Sequence, residues 1–326
     1  MALKTSTTVA RPARRRRATA VTTYMLAPLA TILVTSFILF TVLAATPGDP
    51  VAQLLGPHAT DASRAAARVR LGLDDPLPLR YWHWLTGALH GDFGTSLTHR
   101  EPVTSLLGPR LPTTFLMVAM AAVLILLCGL VLGGIGGVSN RWRPVVSTAT
   151  ALGIAVPAFV ATTILISVFA VQLGWFPTSG AGSGFTDRIW HLTLPAVALS
   201  IGYGAYVTQL TTAAISEEAK ADHVLTGRGR GLSSGWIFRR HILRNAALPM
   251  LTASGLMVAG LVAGSVVVES AFGVDGIGSL LIRSVSSKDY PVVTAVGLII
   301  VAVFVVVTTA LDAAQNLLDP RLRRGK

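Results

Sequence analysis

Residues 111–138 read "LPTTFLMVAMAAVLILLCGLVLGGIGGV", without one Asp, Glu, Lys or Arg. A helix needs roughly 20 apolar residues to cross the hydrocarbon of a bilayer, and this run exceeds that length. Five more charge-free runs of span length cover residues 24–46, 144–173, 192–215, 246–268 and 292–311, with Asp312 just beyond the last. Over 326 residues the hydrophobic share is 52%, the charged share is 13% and the mean hydropathy is +0.63. Charged residues stand at about half their usual share in soluble domains. The expected fold class is therefore an all-α integral membrane protein with about six transmembrane helices.

Six spans place both termini on one side. The net charge is +12, but in a membrane protein the position of the charges matters more than their sum. Of the 27 basic residues, 18 fall in the N-terminal tail, in the loops between spans two and three and between spans four and five, or in the C-terminal tail. The remaining basic residues in the alternate loops are balanced by Asp61, Asp74, Asp75, Asp92, Glu101 and Asp289. The positive-inside rule assigns both termini to the cytoplasm. The basic start resembles a secretory leader, but leader apolar cores run about 7–15 residues and run 24–46 is longer, so it reads as an uncleaved span.

The expected organisation follows. Residues 1–23 form a basic cytoplasmic tail, read as a disordered topology signal near anionic lipid. Residues 24–46 form the first span and 47–110 an external loop. Residues 111–312 form the core, with a cytoplasmic loop at 216–245, and 313–326 a short cytoplasmic tail. The "TPGDP" at 46–50 ends the first helix. In the external loop Tyr81, Trp82 and Trp84 sit beside Leu77, Leu79, Leu85 and Leu89, as in a short helix at headgroup level, a reading favoured over a ligand-binding aromatic box.

Small residues mark close helix contacts. Gly129, Gly133 and Gly137 repeat at four-residue spacing in span two, and Gly255, Gly260 and Gly264 lie in span five. Pro157 is expected to kink span three. The one cysteine, Cys128, permits no internal disulfide and reads as a small buried hydrophobe.

Several activities lack their residues. No GxxxxGK[ST] phosphate loop, HExxH or GxSxG occurs, and the seven histidines are scattered without metal-ligand spacing. No ionisable residue lies mid-span, which disfavours an autonomous proton pump; Glu269 and Asp312 lie at span ends, where water is expected. A membrane enzyme would need a polar catalytic cluster, and none is visible. A solute carrier energised by a partner remains, beside a non-transporting scaffold or receptor subunit.

The most unusual polar stretch is "GRGRGLSSGWIFRRHILRNAALP" at 227–249. It does not fit the G-x-G-x-x-G dinucleotide fingerprint, because Leu232 and Ser234 occupy the positions for the last glycine. It lacks the aromatic interleaving of a nucleic-acid tract, so no nucleic-acid partner is expected. The preceding "SEEAKADHVLTG" is helix-competent, with Glu217 and Lys220 at i,i+3. Gly231 permits a sharp turn, and Ser233 or Ser234 provides an N-cap for a second helix. A short helix presented on a turn suits docking into a groove of another protein.

Here the residues resemble a known family. Asp222-His223-Val224, Gly231-Leu232-Ser233 and "RHILRNAALP" look like the cytoplasmic loop of ABC-transporter permeases, specifically the B-type permease of dipeptide, oligopeptide and nickel importers. "PGDP", "LGLDDPLPLRYWHWL", "GDFGTSL", "RLPTTFLM", "VVVESAFGVDGIGSLLIRSVSSKDYPVV" and "LLDPRLRRG" extend the likeness along nearly the whole chain. The resemblance implies a type I ABC importer transmembrane domain in a prokaryotic cytoplasmic membrane. Its implied partners are a second homologous permease, two ATP-binding subunits or one fused ATPase, an extracytoplasmic solute-binding protein, and membrane lipid. ATP and Mg would be bound by those partners, with no cofactor, metal site or catalytic residue in this chain. Asp222, His223, Val224, Thr226, Arg228, Arg230, Gly231 and Leu232 would form the ATPase-coupling segment. Peptides are the expected solutes; nickel complexes, opines and glycosides use relatives of this design, and the resemblance assigns no substrate-binding residue. One departure stands out. The family usually has alanines and a lysine before the turn glycine, where this chain has Gly227, Arg228, Gly229 and Arg230. Helix-interior glycines cost roughly 1 kcal/mol each relative to alanine, so this helix is expected to fray early or to be ordered only by its partner.

Overall fold

The computed structural model describes residues 13–46, 50–56, 58–70 and 72–318. The helices are α1 (Ala13–Ala45), α2 (Pro50–Leu55), α3 (Asp61–Arg70), α4 (Leu77–Leu89), α5 (Val103–Val138), α6 (Arg143–Ala155) and α7 (Ala158–Leu165). They continue with α8 (Gly184–Glu218), α9 (Asp222–Gly229), α10 (Ser234–Ile237), α11 (Leu243–Ala271), α12 (Ile277–Ser286) and α13 (Tyr290–Leu318). Short π-helical segments extend α7 through Gln172 and join α10 to α11.

Five of the six apolar runs lie in long helices, and the run at 144–173 is split between α6 and α7 with its π-helical extension. By length and composition alone, α5, residues 26–45 of α1 and residues 290–315 of α13 can cross a membrane, and α6 with α7 makes a fourth span if its 100° bend is counted within one. That bend falls at Pro157, so the expected kink is a full break: Val156 leaves the helix and Pro157 starts the next one. Helix α8 has the length, but Pro195, Gly202, Tyr203, Gly204, Tyr206 and Gln209 dilute its apolar character. It packs against α5, α6, α7 and α11, so its surface is shaped by protein contact.

Glycines set the α5–α8 contact. A Cβ at Gly129, Gly133 or Gly137 would come within 2.6 Å of Val207, Thr211 or Ile215 respectively. The four-residue ridge of α5 thus lies directly on the facing ridge of α8, where only hydrogen side chains fit. The span-five glycines serve likewise, with Gly255 against Leu311 of α13 and Gly264 against Tyr203 of α8. Gly133→Leu is expected to lower the unfolding free energy in detergent by about 2 kcal/mol or more, through overpacking at this seam. Gly134→Leu, where nothing lies within 4 Å, is the matched control and should be near neutral. Equal effects of the two would refute the seam.

Several expectations need correction. Helix α1 already begins at Ala13, so part of the 1–23 segment continues the first span as helix and is not a disordered tail. The "PGD" expected to stop it, 47–49, lies outside the described residues. The 47–110 segment is largely helical, and α5 starts inside it at Val103. Helix α4 does not simply lie on the membrane. Tyr81 and Trp84 pack on Phe37 and Phe40 of α1, and the Tyr81 hydroxyl bonds Ser36 Oγ at 2.8 Å and donates to the Leu33 carbonyl at 3.1 Å. Only Trp82 of the three aromatics faces outward, because the i,i+3 pair Tyr81 and Trp84 claims the protein side. Cys128 is exposed, beside exposed Leu127, Leu130 and Val131, since the neighbouring Gly129 takes the inward position. Helix α13 runs to Leu318, past the expected boundary at 312.

The largest correction concerns Glu269, which is fully buried. Thr114 Oγ1 of α5 donates to its Oε1 at 2.7 Å, Ser265 Oγ donates to the same oxygen at 3.2 Å, and the Ser279 N–H donates to Oε2 at 2.9 Å. The Ile277 N–H in turn donates to Thr114 Oγ1 at 3.0 Å. The carboxyl therefore caps the N-terminus of α12 and ties it to α5 and α11. Gly276 and Gly278 leave room for it, since a Cβ on either would strike the carboxyl. Asp289, also buried, accepts from Ser96 Oγ and from the N–H groups of Leu97 (3.0 Å) and Thr98 (3.1 Å). Two buried acids thus organise the end of the bundle opposite α9. Asp312, by contrast, is exposed as expected.

Candidate functional site

The 216–245 loop folds as a helix, a turn and a helix. Asp222 lies in the first turn of α9 and Arg228 in the last, each charge favourable to the helix dipole. Thr226 Oγ1 donates to the Asp222 carbonyl at 2.9 Å. The helix closes in a Schellman motif: the Leu232 N–H reaches the Gly227 carbonyl at 3.2 Å and the Gly231 N–H the Arg228 carbonyl at 3.0 Å. Gly231 has φ +77°, the left-handed conformation this closure demands. Ser233 occupies the N-cap position of α10 but makes no side-chain cap bond.

Helix α9 does not fray at its glycines; it is whole from Asp222 to Gly229. Two contacts outweigh the poor propensity. The Schellman bonds satisfy its last carbonyls, and Val224, fully buried, anchors it in a small core with Ile215, Ile237, Ile242, Ala246 and Met250. Gly227 also faces inward, with room for a methyl at ordinary contact from Ile237 and Leu232, whereas Gly229 faces open space.

The predicted segment therefore divides into two faces. Val224 and Gly227 point to the core. Asp222, His223, Thr226, Arg228, Arg230, Gly231 and Leu232 are exposed, together with Leu225, Trp236, Arg239 and Arg240. That outer face mixes apolar side chains with unburied arginines. At the edge of this face runs a brace that sequence reasoning missed. Glu218, at the end of α8, pairs with His223 Nε2 at 2.9 Å and accepts from Asn245 Nδ2 of α11 at 2.7 Å. The expected Glu217–Lys220 pair is not among the ion pairs formed; the neighbouring Glu218 turns to His223 instead. The signal available was one acid at the helix end facing a basic loop.

Residues 125–324 match the family described as "Binding-protein-dependent transport system inner membrane component", and residues 20–118 match its N-terminal domain. This chain belongs to that family. It is a multi-pass inner-membrane permease of an ABC importer. The permease is 34% identical over 308 residues to a probable peptide ABC transporter permease of Sinorhizobium fredii, covering 92% of this chain and 97% of that one. It is 35% identical over 301 residues to the glutathione transport system permease GsiC of Escherichia coli K12, again with 92% and 97% coverage. Its fold is similar to that of the MetNI methionine ABC transporter in an inward-facing crystal form, with a TM-score of 0.55, 18% identity, and coverage of 66% of this chain and 96% of that one.

The resemblance read from the cytoplasmic loop is thereby upheld, as is the all-helical fold. An importer permease works with ATPase and binding-protein partners, and ATP is hydrolysed by the former. Among the described residues no three His, Cys, Asp or Glu converge as a metal site. The cytoplasmic loop presents instead a short helix, packed on one side and exposed on the other.

Proposed function

We propose that this permease forms half of the pathway of an importer for peptides or similar small solutes, and that α9 with the turn at Gly231 transmits the ATPase stroke. The observation that carries the mechanical part is the two-faced α9. Its inner side is fixed by Val224 and its edge by the Glu218–His223–Asn245 brace, so force on its outer side reaches α8 and α11 without local give. Leu225, Leu232 and Trp236 offer apolar contact, and Arg228 and Arg230 a basic rim, for a groove on an ATP-binding subunit. The peptide part rests on the relatives, named as peptide and glutathione permeases. Glutathione is itself a short peptide.

The assembly follows the family design: a second homologous permease, two ATP-binding subunits or one fused one, and a solute-binding protein on the face carrying α2–α4. Both termini lie with α9 in the cytoplasm, in keeping with the basic residues clustered there. Purification of the tagged permease from its native host tests this. The expected result is co-purification of ATPases and a homologous permease. The double variant Arg228→Glu/Arg230→Glu should lower capture of the ATPases roughly tenfold at low salt, because opposing charge slows and weakens docking. Unchanged capture would remove the loop from the interface. Ligand screening on the cognate binding protein identifies the solute; a binding protein that ignores peptides would overturn the peptide reading alone.

A further inference from the structure

We infer that the bare face of α8, with Tyr206, Gln209 and Ala213, lines the solute pathway, and that Gln209 and Tyr206 hydrogen-bond the amide groups of a passing peptide. This rests on the pathway reading above and adds residues to it. Three sides of the second half of α8 are covered. Val207 and Thr211 rest on Gly129 and Gly133 of α5, Ala205 lies against Gly153 of α6, and Tyr203 lies against Gly260 and Gly264 of α11. Within residues 192–215 the exposed positions are Tyr206, Gln209, Leu210 and Ala213. Spacings of three and four put Tyr206, Gln209 and Ala213 on one side of the helix, and exposed Glu217 continues the stripe to the end of α8. The stripe lies at span depth, because its neighbours Val207 and Thr211 sit on the α5 seam.

The composition of this face is wrong for lipid. The exposed side of α5 around the same seam carries Leu126, Leu127, Leu130 and Val131. The α8 face carries instead a carboxamide and a phenol, neither with a hydrogen-bond partner among the described residues. Acyl chains offer no hydrogen bonds, so such groups at span depth belong against protein or water. Permanent subunit contacts are mostly apolar, and they too would leave both groups unmet. Water and a polar solute supply the missing partners.

The face also leads somewhere. At its α9 end it opens into a cavity of about 840 Å³ whose lining includes Leu210, Ala213, Ala214, Ser216, Glu217 and Lys220. That volume is in the range of small-ligand sites. The glutamine side chain both donates and accepts, as a peptide group does, and the tyrosine hydroxyl does the same. No charged residue lies on α8 within residues 192–215. The face therefore reads backbone amides and does not select the charge of the solute's side chains.

The test uses the assembled importer in proteoliposomes, with single cysteines introduced into Cys128→Ser. The probe is a charged, membrane-impermeant methanethiosulfonate, which attacks thiolates, and these form in water and not among acyl chains. Tyr206→Cys, Gln209→Cys and Ala213→Cys should react roughly a hundredfold faster than Leu130→Cys on the exposed side of α5. Import of radiolabelled tri-alanine, delivered by the cognate binding protein, gives a second readout. Gln209→Leu should lower it roughly tenfold relative to wild type, and Gln209→Asn, which keeps the amide, should lose less. Co-purified ATPases establish that each variant assembles. Cysteines on α8 as slow as Leu130→Cys would overturn the proposal. So would cysteines that react in the isolated permease and not in the complex, since the second permease then covers the face. Unchanged tri-alanine import by Gln209→Leu would overturn the amide contact. A wild type that imports no tri-alanine would overturn the peptide reading itself and the peptide ligand with it, while the cysteine rates decide the pathway face separately.

Discussion

Glu269→Ala is expected to lower the unfolding free energy of the permease in detergent by about 3 kcal/mol or more and to abolish transport. The substitution removes the acceptor for Thr114 Oγ1, Ser265 Oγ and the Ser279 N–H, all buried. An unsatisfied buried donor costs about 1–3 kcal/mol. The Ser265 hydroxyl also donates to the Val262 carbonyl at 2.9 Å, which softens its loss, but the Ser279 amide has no such freedom. Alanine leaves a void besides, against which Gly276 and Gly278 offer no side chain. Glu269→Gln keeps the shape and one acceptor oxygen and should lose about half as much. The functional effect follows from place: α12 hangs on this carboxyl, and it links α5 to α11. An alanine variant within about 1 kcal/mol of wild type would show that the network contributes little.

The second large effect is expected in the α9 turn. Gly231→Val places a β-branched residue at φ +77°, where such residues are outliers. The strain is roughly 1–2 kcal/mol and is relieved by opening the Schellman closure, which redirects α9. Solute-stimulated ATPase activity should fall roughly tenfold in a complex that still assembles. Val224→Asp acts from behind. It puts a carboxylate into the core of Ile215, Ile237 and Ile242, at a cost of several kcal/mol, so the ATPases should be lost on purification. Gly229→Ala is the opposite control. Its methyl meets nothing within 4 Å, and it should firm α9 by about 1 kcal/mol with coupling intact. Wild-type coupling in assembled Gly231→Val would sink the mechanical role of the turn.

Much of the fold was legible because lipid imposes a simple rule. Apolar runs of span length had to be helices, and small residues at four-residue spacing had to be contacts. Gly129, Gly133 and Gly137 therefore named the α5 face correctly, and Pro157 named the break in span three. Local propensity misled where tertiary contact outweighed it. The glycines at 227 and 229 suggested fraying, yet one buried valine and two closing bonds keep α9 whole. The aromatic group at 81–84 suggested a membrane-surface helix, yet two of its rings pack on α1.

The two buried acids show the boundary most clearly. Chain position put Glu269 at a span end, which in one dimension means water. In three dimensions the chain folds back through Gly276 and Gly278, and α12 covers the carboxyl with its own amide groups. The partners of Asp289 lie more than 190 residues earlier in the chain. By itself the sequence determined the membrane class, the helical runs, the seam glycines, the glycine turn and the family, because each is written in local pattern. Only the tertiary structure decided which face of α9 is bare and which acids are buried. Those depend on what distant segments bring to the same point, and no spacing along the chain encodes that.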